Sequence, residues 1–484
     1  QQAADVAYDR TSECSFTTFV GYEYTGMPYG YNHHRNIIFR NSNVPTLPIS
    51  YFEQPTLPGL WAELKNTCLD SSSGCDVLAI PHNSNLAGGR MFRDPQSEQE
   101  LADRLFFEPV VELVQHKGAS ECRYDRLRGM GMDTTDELCD FEQIPADNLN
   151  MMGTVHGVVR TERALEVPLE QFARRNMVRN ALKDGLLLEE KLGVNPFVMG
   201  FIGSTDTHSA APGSAEEDNY VGHLGRRDAQ YANVQDHFYS NAGGHAVVWA
   251  EENSRDSIFA AIRRKETYAT SGTRPTLRFF AGELQAELCD SPEMVARAYA
   301  DGVPMGGEIG IGAHGSAPGF LVSAQKDPGT ARSPGTDLQR VQIVKGWVDA
   351  GGQTREKVFD IAGSKDNGAG VDPASCAPRG SGMQQVCTVW QDPEFDPGRN
   401  AFYYVRLVEN PTCRWSTLQC QAAGVNPFAD DCPAQAKAAT LQAQELGATG
   451  DVYSKCCIDP AQQPFYSPLI QERAWSSPIW YRPD

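Results

Sequence analysis

The chain changes character at Pro275, and this change is the strongest constraint on what it can fold into. Before Pro275, short apolar runs alternate with stretches in which apolar residues recur at helical spacing. The apolar runs lie at residues 16–24, 77–80 and 198–203, and the helical stretches at 98–115, 165–192 and 253–266. Buried strands that alternate with amphipathic helices are typical of an α/β layer or barrel. Residues 1–275 are therefore predicted to form an α/β domain.

After Pro275, turns rich in glycine and proline separate short apolar runs. The runs lie at residues 277–280, 320–324, 341–348 and 401–408. Short strands with frequent turns predict a β-rich, sandwich-like domain over residues 276–484, with one late helix at 434–446. A division into two domains also suits a length of 484 residues, which exceeds what one ordinary hydrophobic core serves.

The charge balance excludes one large class of partner. Lys and Arg number 42 against 62 Asp and Glu, which gives a net charge of −20, so the average field repels nucleic acid. A small anionic substrate can still bind where basic residues cluster locally. No apolar run approaches the roughly 20 residues that a membrane span requires. The sequence leaves the oligomeric state open, and a homo-oligomer is compatible with it.

Cysteine usage indicates an oxidising compartment. Eight of the thirteen cysteines fall from Cys289 onward, and no Cys-x-x-Cys pair is present, so disulfides are favoured over structural zinc. Cys376 with Cys387 and Cys413 with Cys420 are the shortest closures, although spacing alone leaves the connectivity open. We expect a periplasmic or extracellular protein with one thiol left over. Because the chain opens on Gln1 without an apolar signal-peptide core, we expect a mature or cleaved product.

Potential metal ligands follow three of the predicted strands. Glu23 follows the apolar residues 16–20, His82 follows 77–80, and Asp206 with His208 follows 198–204. Catalytic groups of barrel-type α/β folds sit where strands end, and residues two apart on extended backbone point the same way. Carboxylate and imidazole together suit Zn²⁺, Mn²⁺ or iron. A single histidine is more often a core residue, but three coincident strand ends favour a metal site.

The other histidines are interpreted differently. His33 and His34 are neighbours before an extended run, so only one of them is expected to face the site. His116 is interpreted as the end of a helix, where an imidazolium complements the helix dipole. His223 is interpreted as a surface or lid residue in a polar loop.

Eight segments of the chain resemble a known family. They read Phe-Val-Gly-Tyr-Glu-Tyr-Thr at 19–25, His-Arg-Asn-Ile-Ile-Phe-Arg at 34–40, Ile-Pro-His-Asn-Ser-Asn at 80–85, Gly-Phe-Ile-Gly-Ser-Thr-Asp-Thr-His at 200–208, Trp-Ala-Glu-Glu-Asn at 249–253, Tyr-Ala-Thr-Ser-Gly at 268–272, Ile-Val-Lys-Gly-Trp-Val-Asp at 343–349 and Gln-Glu-Arg-Ala-Trp-Ser-Ser-Pro-Ile-Trp-Tyr at 471–481. With these segments the chain resembles the DUF3604 family over essentially its whole length. That family looks related to the PHP phosphoesterases, which have a distorted (β/α)7 barrel that holds up to three metals.

The resemblance implies a role for each ligand. Glu23 matches a bridging carboxylate, His34 and His82 match two further ligands, and Asp206 with His208 matches a closing Asp-x-His pair. The family's opening His-x-His strand and its Asp-His pair have no counterpart in this sequence. We therefore expect an incomplete PHP-like barrel: either a separate N-terminal polypeptide of the same precursor supplies the missing ligands, or the chain is a fragment of a longer sequence.

The function expected from these features is the metal-dependent hydrolysis of phosphoesters. Two or three divalent metals, bridged by Glu23 and also held by Asp206, would supply a hydroxide for attack on phosphorus. Arg35, Arg90 and Lys117 are the basic residues predicted to contact the anionic substrate. Two alternatives remain: a non-catalytic binding or structural subunit with a relic metal site, and a serine or cysteine hydrolase. The second is disfavoured because the sequence has no Gly-x-Ser-x-Gly motif.

Overall fold

The computed structural model describes residues 1–144, 173–223, 234, 238–311, 316–331 and 333–483. The α-helices in this part of the chain are α1 (Gln2–Ala7), α2 (Leu57–Leu64), α3 (Glu98–Phe107), α4 (Val178–Leu192), α5 (Arg255–Arg263), α6 (Met294–Ala300), α7 (Trp415–Ala422) and α8 (Cys432–Glu445). Among them, no helix combines the length and the apolar character needed to cross a membrane.

The strands of the described residues fall into a first and a second series. The first is β1 (Val20–Tyr24), β2 (His34–Phe39), β3 (Val77–His82), β4 (Val110–Gln115), β5 (Gly118–Ala119), β6 (Tyr124–Asp125), β7 (Met130–Gly131), β8 (Gly200–Gly203), β9 (His245–Val248) and β10 (Thr267–Thr270). The second is β11 (Thr276–Gly282), β12 (Gly302–Pro304), β13 (Glu308–Ile309), β14 (Gly319–Gln325), β15 (Leu338–Val348), β16 (Thr354–Gly363), β17 (Gly370–Val371), β18 (Pro378–Arg379), β19 (Gln385–Gln391), β20 (Ala401–Glu409), β21 (Thr412–Cys413), β22 (Leu469–Ile470), β23 (Arg473–Ser476) and β24 (Ile479–Tyr481).

Three antiparallel strands, β1, β2 and β3, form the sheet that carries the first ligands. The register places His34 at the start of β2 directly opposite His82 at the end of β3. On the other side of β2, Glu23 of β1 pairs with Asn36, two residues from His34. Helix α2 buries Trp61 against this sheet in a common apolar core. The register therefore brings three polar side chains to one end of a sheet whose interior is apolar.

Strands β4 and β8 form a second small sheet and run parallel, with β5 on the outer side of β4. Every residue of β4 is buried, and Leu182 and Leu186 of α4 pack against its apolar side chains. Because the two strands are parallel, the segments that follow them leave the sheet at the same edge. Those segments contain His116 after β4 and Asp206 after β8.

The largest sheet joins the two halves of the chain. It runs in the order β13-β24-β20-β23-β10-β9, and β15 and β16 extend it from β20. Strands β9 and β10 precede Pro275, whereas the others follow it. A four-stranded sheet, β12-β11-β14-β19, shares an apolar core with it that includes Phe279, Phe320, Ile343 and Tyr403. The second half is thus β-rich, as predicted, but its main sheet includes strands from the first half.

The architecture of the described residues is mixed α/β, and the PHP-like barrel is not confirmed. Their strands lie in several separate sheets, and none of these sheets closes on itself. The β1-β2-β3 sheet is antiparallel throughout, whereas consecutive strands of a (β/α)7 barrel run parallel. The coarse prediction of an α/β fold is confirmed, and the barrel stays a prediction.

Two helix boundaries differ from the predicted ones. The stretch 98–115 is not one helix, because Pro109 disfavours helical backbone at Glu108: α3 ends at Phe107 and β4 begins at Val110. Helix α5 begins after Ser254, whose side chain caps the amide of Ser257, and not after Asn253. The predicted helix at 165–192 appears as α4, and residues 165–172 lie outside the described part. The late helix is α8.

Six disulfides link twelve of the thirteen cysteines, and Cys14 is free. The two predicted local closures are wrong. Cys376 pairs with Cys413, Cys387 with Cys289, Cys420 with Cys456, and Cys432 with Cys457. The remaining bridges are Cys68–Cys75 and Cys122–Cys139. Tertiary pairing decides the outcome, because β19 lies beside β14 and carries Cys387 away from its sequence neighbour.

Candidate metal centre

The first candidate group is formed by Glu23, His34 and His82 at one end of the β1-β2-β3 sheet. Oε1 of Glu23 lies 2.8 Å from Nδ1 of His34 and 3.0 Å from Nε2 of His82. The two imidazole rings stand edge to face, with their centroids 5.4 Å apart. Both histidines are buried, whereas Glu23 keeps partial exposure. One carboxylate oxygen is therefore shared by two rings at a partly accessible position.

The electrostatics of this group favour an ionised Glu23. Burial opposes ionisation, but hydrogen bonds from His34 and His82 outweigh it and hold the pKa of Glu23 well below its usual range. Burial also lowers the pKa of His34, despite the adjacent carboxylate. For His82 burial acts in the same direction, but Glu23 and the charges of Glu112 and Asp206 raise its pKa overall. The group therefore holds a fixed negative charge beside two rings.

The second candidate group is formed by His116, Asp206 and His208 at the edge of the β4-β8 sheet. Nε2 of His116 lies 3.4 Å from Oδ2 of Asp206. The His208 ring is turned by a 2.9 Å hydrogen bond between its Nδ1 and the backbone oxygen of Asp206. The ligand atoms of this group lie within 4.8 Å of one another, as do those of the first group.

Polar contacts connect the two groups. Nδ2 of Asn83, the residue after His82, donates to Oδ2 of Asp206 at 3.3 Å, and Nε2 of Gln115 donates to the same oxygen at 2.9 Å. Asn83 and Asp206 both have left-handed backbone, with φ of 56° and 50°. Non-glycine residues in this conformation cost of order 1–3 kcal/mol and are common at functional sites. The groups therefore belong to one polar region that is locally strained.

Lys117 contributes the positive charge nearest to Asp206. Its Nζ binds Oδ2 of Asp206, and its side chain is 21% exposed. Burial opposes ionisation of Asp206, but His116 and Lys117 hold its pKa far below the usual range. Burial and the neighbouring Lys117 lower the pKa of His116 to about 3, so its ring is neutral at physiological pH. The ring therefore has a lone pair to offer a cation.

A buried carboxyl group lies close to both sets of ligands. Glu112 points from β4 and accepts a hydrogen bond from Ser204. Burial raises the pKa of Glu112 to about 7, and the carboxylate of Asp206 adds to this, although His82 opposes it. The site region therefore contains one carboxyl group, that of Glu112, which keeps its proton close to neutral pH.

The residues present fit a divalent metal of the zinc, manganese or iron type. Within the described chain, Nε2 of His34, Nδ1 of His82 and Nε2 of His116 are buried ring nitrogens without a hydrogen-bond partner. Buried nitrogens are normally satisfied, so such atoms indicate a missing partner. Imidazole nitrogen with carboxylate oxygen is the donor set that these metals share. A third cluster, Cys122, Asp136 and Cys139, is not a metal site because its cysteines form a disulfide.

The structure brings the five predicted ligands into two neighbouring groups of the same region, rather than into a single shell. The expected geometry of Asp206 and His208 was wrong in detail, because Asp206 is left-handed and not extended. His33 faces away from Glu23, into an environment where Arg35, Arg104, Arg93 and Arg90 lower the pKa of its buried ring further. The sequence argument that only one of His33 and His34 faces the site therefore agrees with the structure.

Sequence reasoning missed His116. The error follows from the helix predicted over 98–115, because a histidine at a helix end needs no further explanation. Pro109 was the available signal, since it separates α3 from β4 and makes His116 a strand-end residue. His223 was also misjudged: it is buried, and its ring packs on that of His116 with centroids 4.4 Å apart.

A column of rings extends from His116 to the disulfide-bonded end of the chain. His223 contacts Tyr220 at 5.4 Å between centroids, and Tyr220 stacks on Trp415 at 4.0 Å. Trp415 begins α7, which shares its core with α8 and with Cys420, Cys432 and Cys456. The candidate ligand His116 is thus supported from behind by a disulfide-bonded helical segment.

The predicted substrate contacts have different outcomes. Arg35 has no exposed side-chain surface, and its Nε donates to Glu108 at 2.9 Å, so the prediction that it contacts substrate is wrong. Its guanidinium neutralises a buried carboxylate instead. Arg90 is partly buried and packs over the ring of Tyr31 at 5.5 Å, outside both ligand groups. Lys117 is the basic residue found within the site.

The comparisons with known proteins identify the family. The profile described as "Protein of unknown function (DUF3604)" matches residues 1–441. The chain belongs to the DUF3604 family. No curated protein and no solved structure matches this DUF3604 chain significantly. The match includes all six residues of the two ligand groups.

Proposed function

We propose that this DUF3604 protein is a metal-dependent hydrolase that acts on phosphoesters in the periplasm or outside the cell. The observation that carries the proposal is the pair of adjacent ligand groups, Glu23-His34-His82 and His116-Asp206-His208, joined by the contact of Asn83 with Asp206. Two neighbouring metal sites are the usual arrangement for displacement at phosphorus. A separate N-terminal polypeptide that supplies further ligands is part of the same proposal.

The chain's own residues would divide the work. Divalent ions at the two groups would polarise a phosphoryl oxygen and activate water for attack. Glu23 would supply the negative charge between His34 and His82, since its carboxylate remains ionised there. Lys117, which is partly exposed beside Asp206, would neutralise an anionic oxygen of the substrate. No side-chain nucleophile is required.

The cellular location is inferred from covalent structure. Six disulfides in one chain are typical of an oxidising compartment and rare in a reducing cytosol. A net charge of −20 leaves small anions, rather than nucleic acids, as the substrates that local basic residues can attract.

The experiment that tests the function is a turnover assay on the full chain with matched histidine variants. Aryl phosphate mono- and diesters are the substrates, with and without added Mn²⁺ or Zn²⁺, and bound metal is measured in parallel. His82→Ala should lower metal content and kcat together, because a ligand is lost without loss of the apolar core. His245→Ala is the control, since His245 is part-buried but belongs to neither group.

Three outcomes would contradict the proposal or the role that it gives to His82. Normal turnover by His82→Ala would remove His82 from the catalytic site. Metal binding without hydrolysis of any ester, even when the N-terminal polypeptide is supplied, would favour a binding or structural subunit. A fall in melting temperature with unchanged metal content would assign His82 a structural role.

A further inference from the structure

Two adjacent residues determine how the second ligand group can bind a cation. One is His116, which lies with Asp206 and His208 as the third potential ligand. The other is Lys117, whose ammonium binds the same carboxylate oxygen that His116 approaches. Both residues follow β4 directly, so their positions are set by the end of a buried strand.

His116 is built as a ligand and not as a structural histidine. Its side chain is 9% exposed, and its Nε2 has no hydrogen-bond partner among the described residues. That nitrogen points to Asp206, with its oxygen at 3.4 Å. The ring is fixed by packing on His223, and the backbone amide is fixed by a 3.3 Å bond to the oxygen of Thr205. A fixed ring with a free lone pair is preorganised for a metal.

Several donors hydrogen-bond to Oδ2 of Asp206. Gln115 and Asn83 donate amide hydrogens to it, and Lys117 adds a full positive charge. A divalent cation between His116 and His208 would need electron pairs of the same carboxylate. The amide donors can shift to the other oxygen at little cost, but an ammonium and a dication repel each other. Lys117 and a metal therefore compete for Asp206.

We propose that Lys117 lowers the metal affinity of the group formed by His116, Asp206 and His208, because its ammonium competes with the cation for the Asp206 carboxylate. The inference rests on the proposed function and deepens it, because it names a residue that regulates one of the proposed metal sites. It does not depend on ligands from an N-terminal polypeptide. The cation fitting this N₂O donor set is Zn²⁺, Mn²⁺ or Fe²⁺.

The test is metal binding to the chelator-stripped full chain, measured by competition with a chromophoric chelator for Zn²⁺ and Mn²⁺. His34→Ala serves as the background, because it disables the first group and isolates the second. In this background His116→Ala should weaken binding about 100-fold, as expected for loss of one ligand in three. Lys117→Met should strengthen it about tenfold, the usual worth of a hydrogen bond to a charged group.

A matched control separates competition from a general effect of charge. Lys326 pairs with Asp337 at 2.8 Å, and both side chains are partly exposed, as Lys117 is. Lys326→Met removes one positive charge from a pair that belongs to neither ligand group. It should leave metal affinity unchanged within about threefold, because exposed charges are screened. His116→Asn is the second variant if the alanine variant does not fold, since it keeps a polar side chain and shortens its reach.

The outcomes are distinguishable from failure of the proposed function. Unchanged affinity in both His116 variants would overturn the assignment of His116 as a ligand. Unchanged or weaker affinity in Lys117→Met would overturn the competition. Absence of ester hydrolysis would refute the proposed function and leave this inference intact, because its readout is metal affinity alone. Hydrolysis by a chain that binds metal only at Glu23-His34-His82 would overturn this inference and leave the hydrolase activity intact.

Discussion

The adjacent residues His33, which precedes β2, and His34, which begins it, allow a strict test of the first ligand group. His34→Ala removes a ring whose Nδ1 lies 2.8 Å from Oε1 of Glu23. His33→Ala removes the imidazole ring of the preceding residue, which lies near the charges of Arg35, Arg93 and Arg104. Both variants lose one imidazole that has a buried nitrogen, so both should lose comparable stability, of order 1–3 kcal/mol. Only the first should change metal binding.

The size of the effect follows from the number of ligands. Structural zinc sites with four ligands bind with about 10–16 kcal/mol, which is about 3 kcal/mol for each ligand. Loss of His34 from its three-ligand group should therefore weaken binding about 100-fold, at 1.4 kcal/mol for each factor of ten. His33→Ala should stay within about threefold of the wild-type chain, a difference under 1 kcal/mol.

The assay is a Zn²⁺ titration at pH 7.5 of the chelator-stripped chain, with circular dichroism to establish folding. The titration curve should lose its first-group phase in His34→Ala and keep it in His33→Ala. Equal losses in the two variants would show that the effect arises from packing of β2 and not from coordination. No loss in either variant would remove His34 from the site and refute the reasoning from register.

Three further predictions concern stability and covalent structure. Burial raises the pKa of Glu409 from 4.5 to about 8. The folded chain therefore keeps this proton while the unfolded chain releases it, and the stability of the wild-type chain falls as pH rises from about 4.5 to 8. In urea unfolding, Glu409→Gln should gain up to about 1.4 kcal/mol over wild type for each pH unit between these limits. Arg179→Met should cost about 3–5 kcal/mol in the same assay, because it removes the one guanidinium that contacts all three buried carboxylates of Glu121, Asp136 and Glu356 and leaves only Arg406 and Lys183 to compensate them. A cost under about 1 kcal/mol would contradict that role. Thiol titration of the denatured, unreduced chain should find one reactive group, that of Cys14, and several reactive groups would refute the six bridges.

The ligands of the first group were predictable because strand ends can be recognised from local sequence. Glu23, His34 and His82 each adjoin an apolar run, and a run that is buried leaves its terminal polar residue at the sheet edge. The prediction could not distinguish one shell from two groups, since this depends on how the β1-β2-β3 sheet sits against β4 and β8.

Other features could not be predicted from local sequence. The pairing of Cys289 with Cys387 spans 98 residues and depends on the sheet that β14 and β19 form. The burial of Arg35 depends on Glu108, which lies 73 residues away. In both cases the tertiary structure brings a distant partner close, and the local sequence does not indicate which residue that partner is.

The column of rings behind His116 makes the geometry of the candidate metal site depend on two disulfides. His223, Tyr220 and Trp415 transmit the position of α7 to the His116 ring, and the Cys420–Cys456 and Cys432–Cys457 bridges hold the segment to which α7 belongs. In a reduced chain the helical segment behind the column of rings would lack its two disulfides, so the His116 ring would be poorly oriented. Formation of these disulfides should therefore precede high-affinity metal binding at His116.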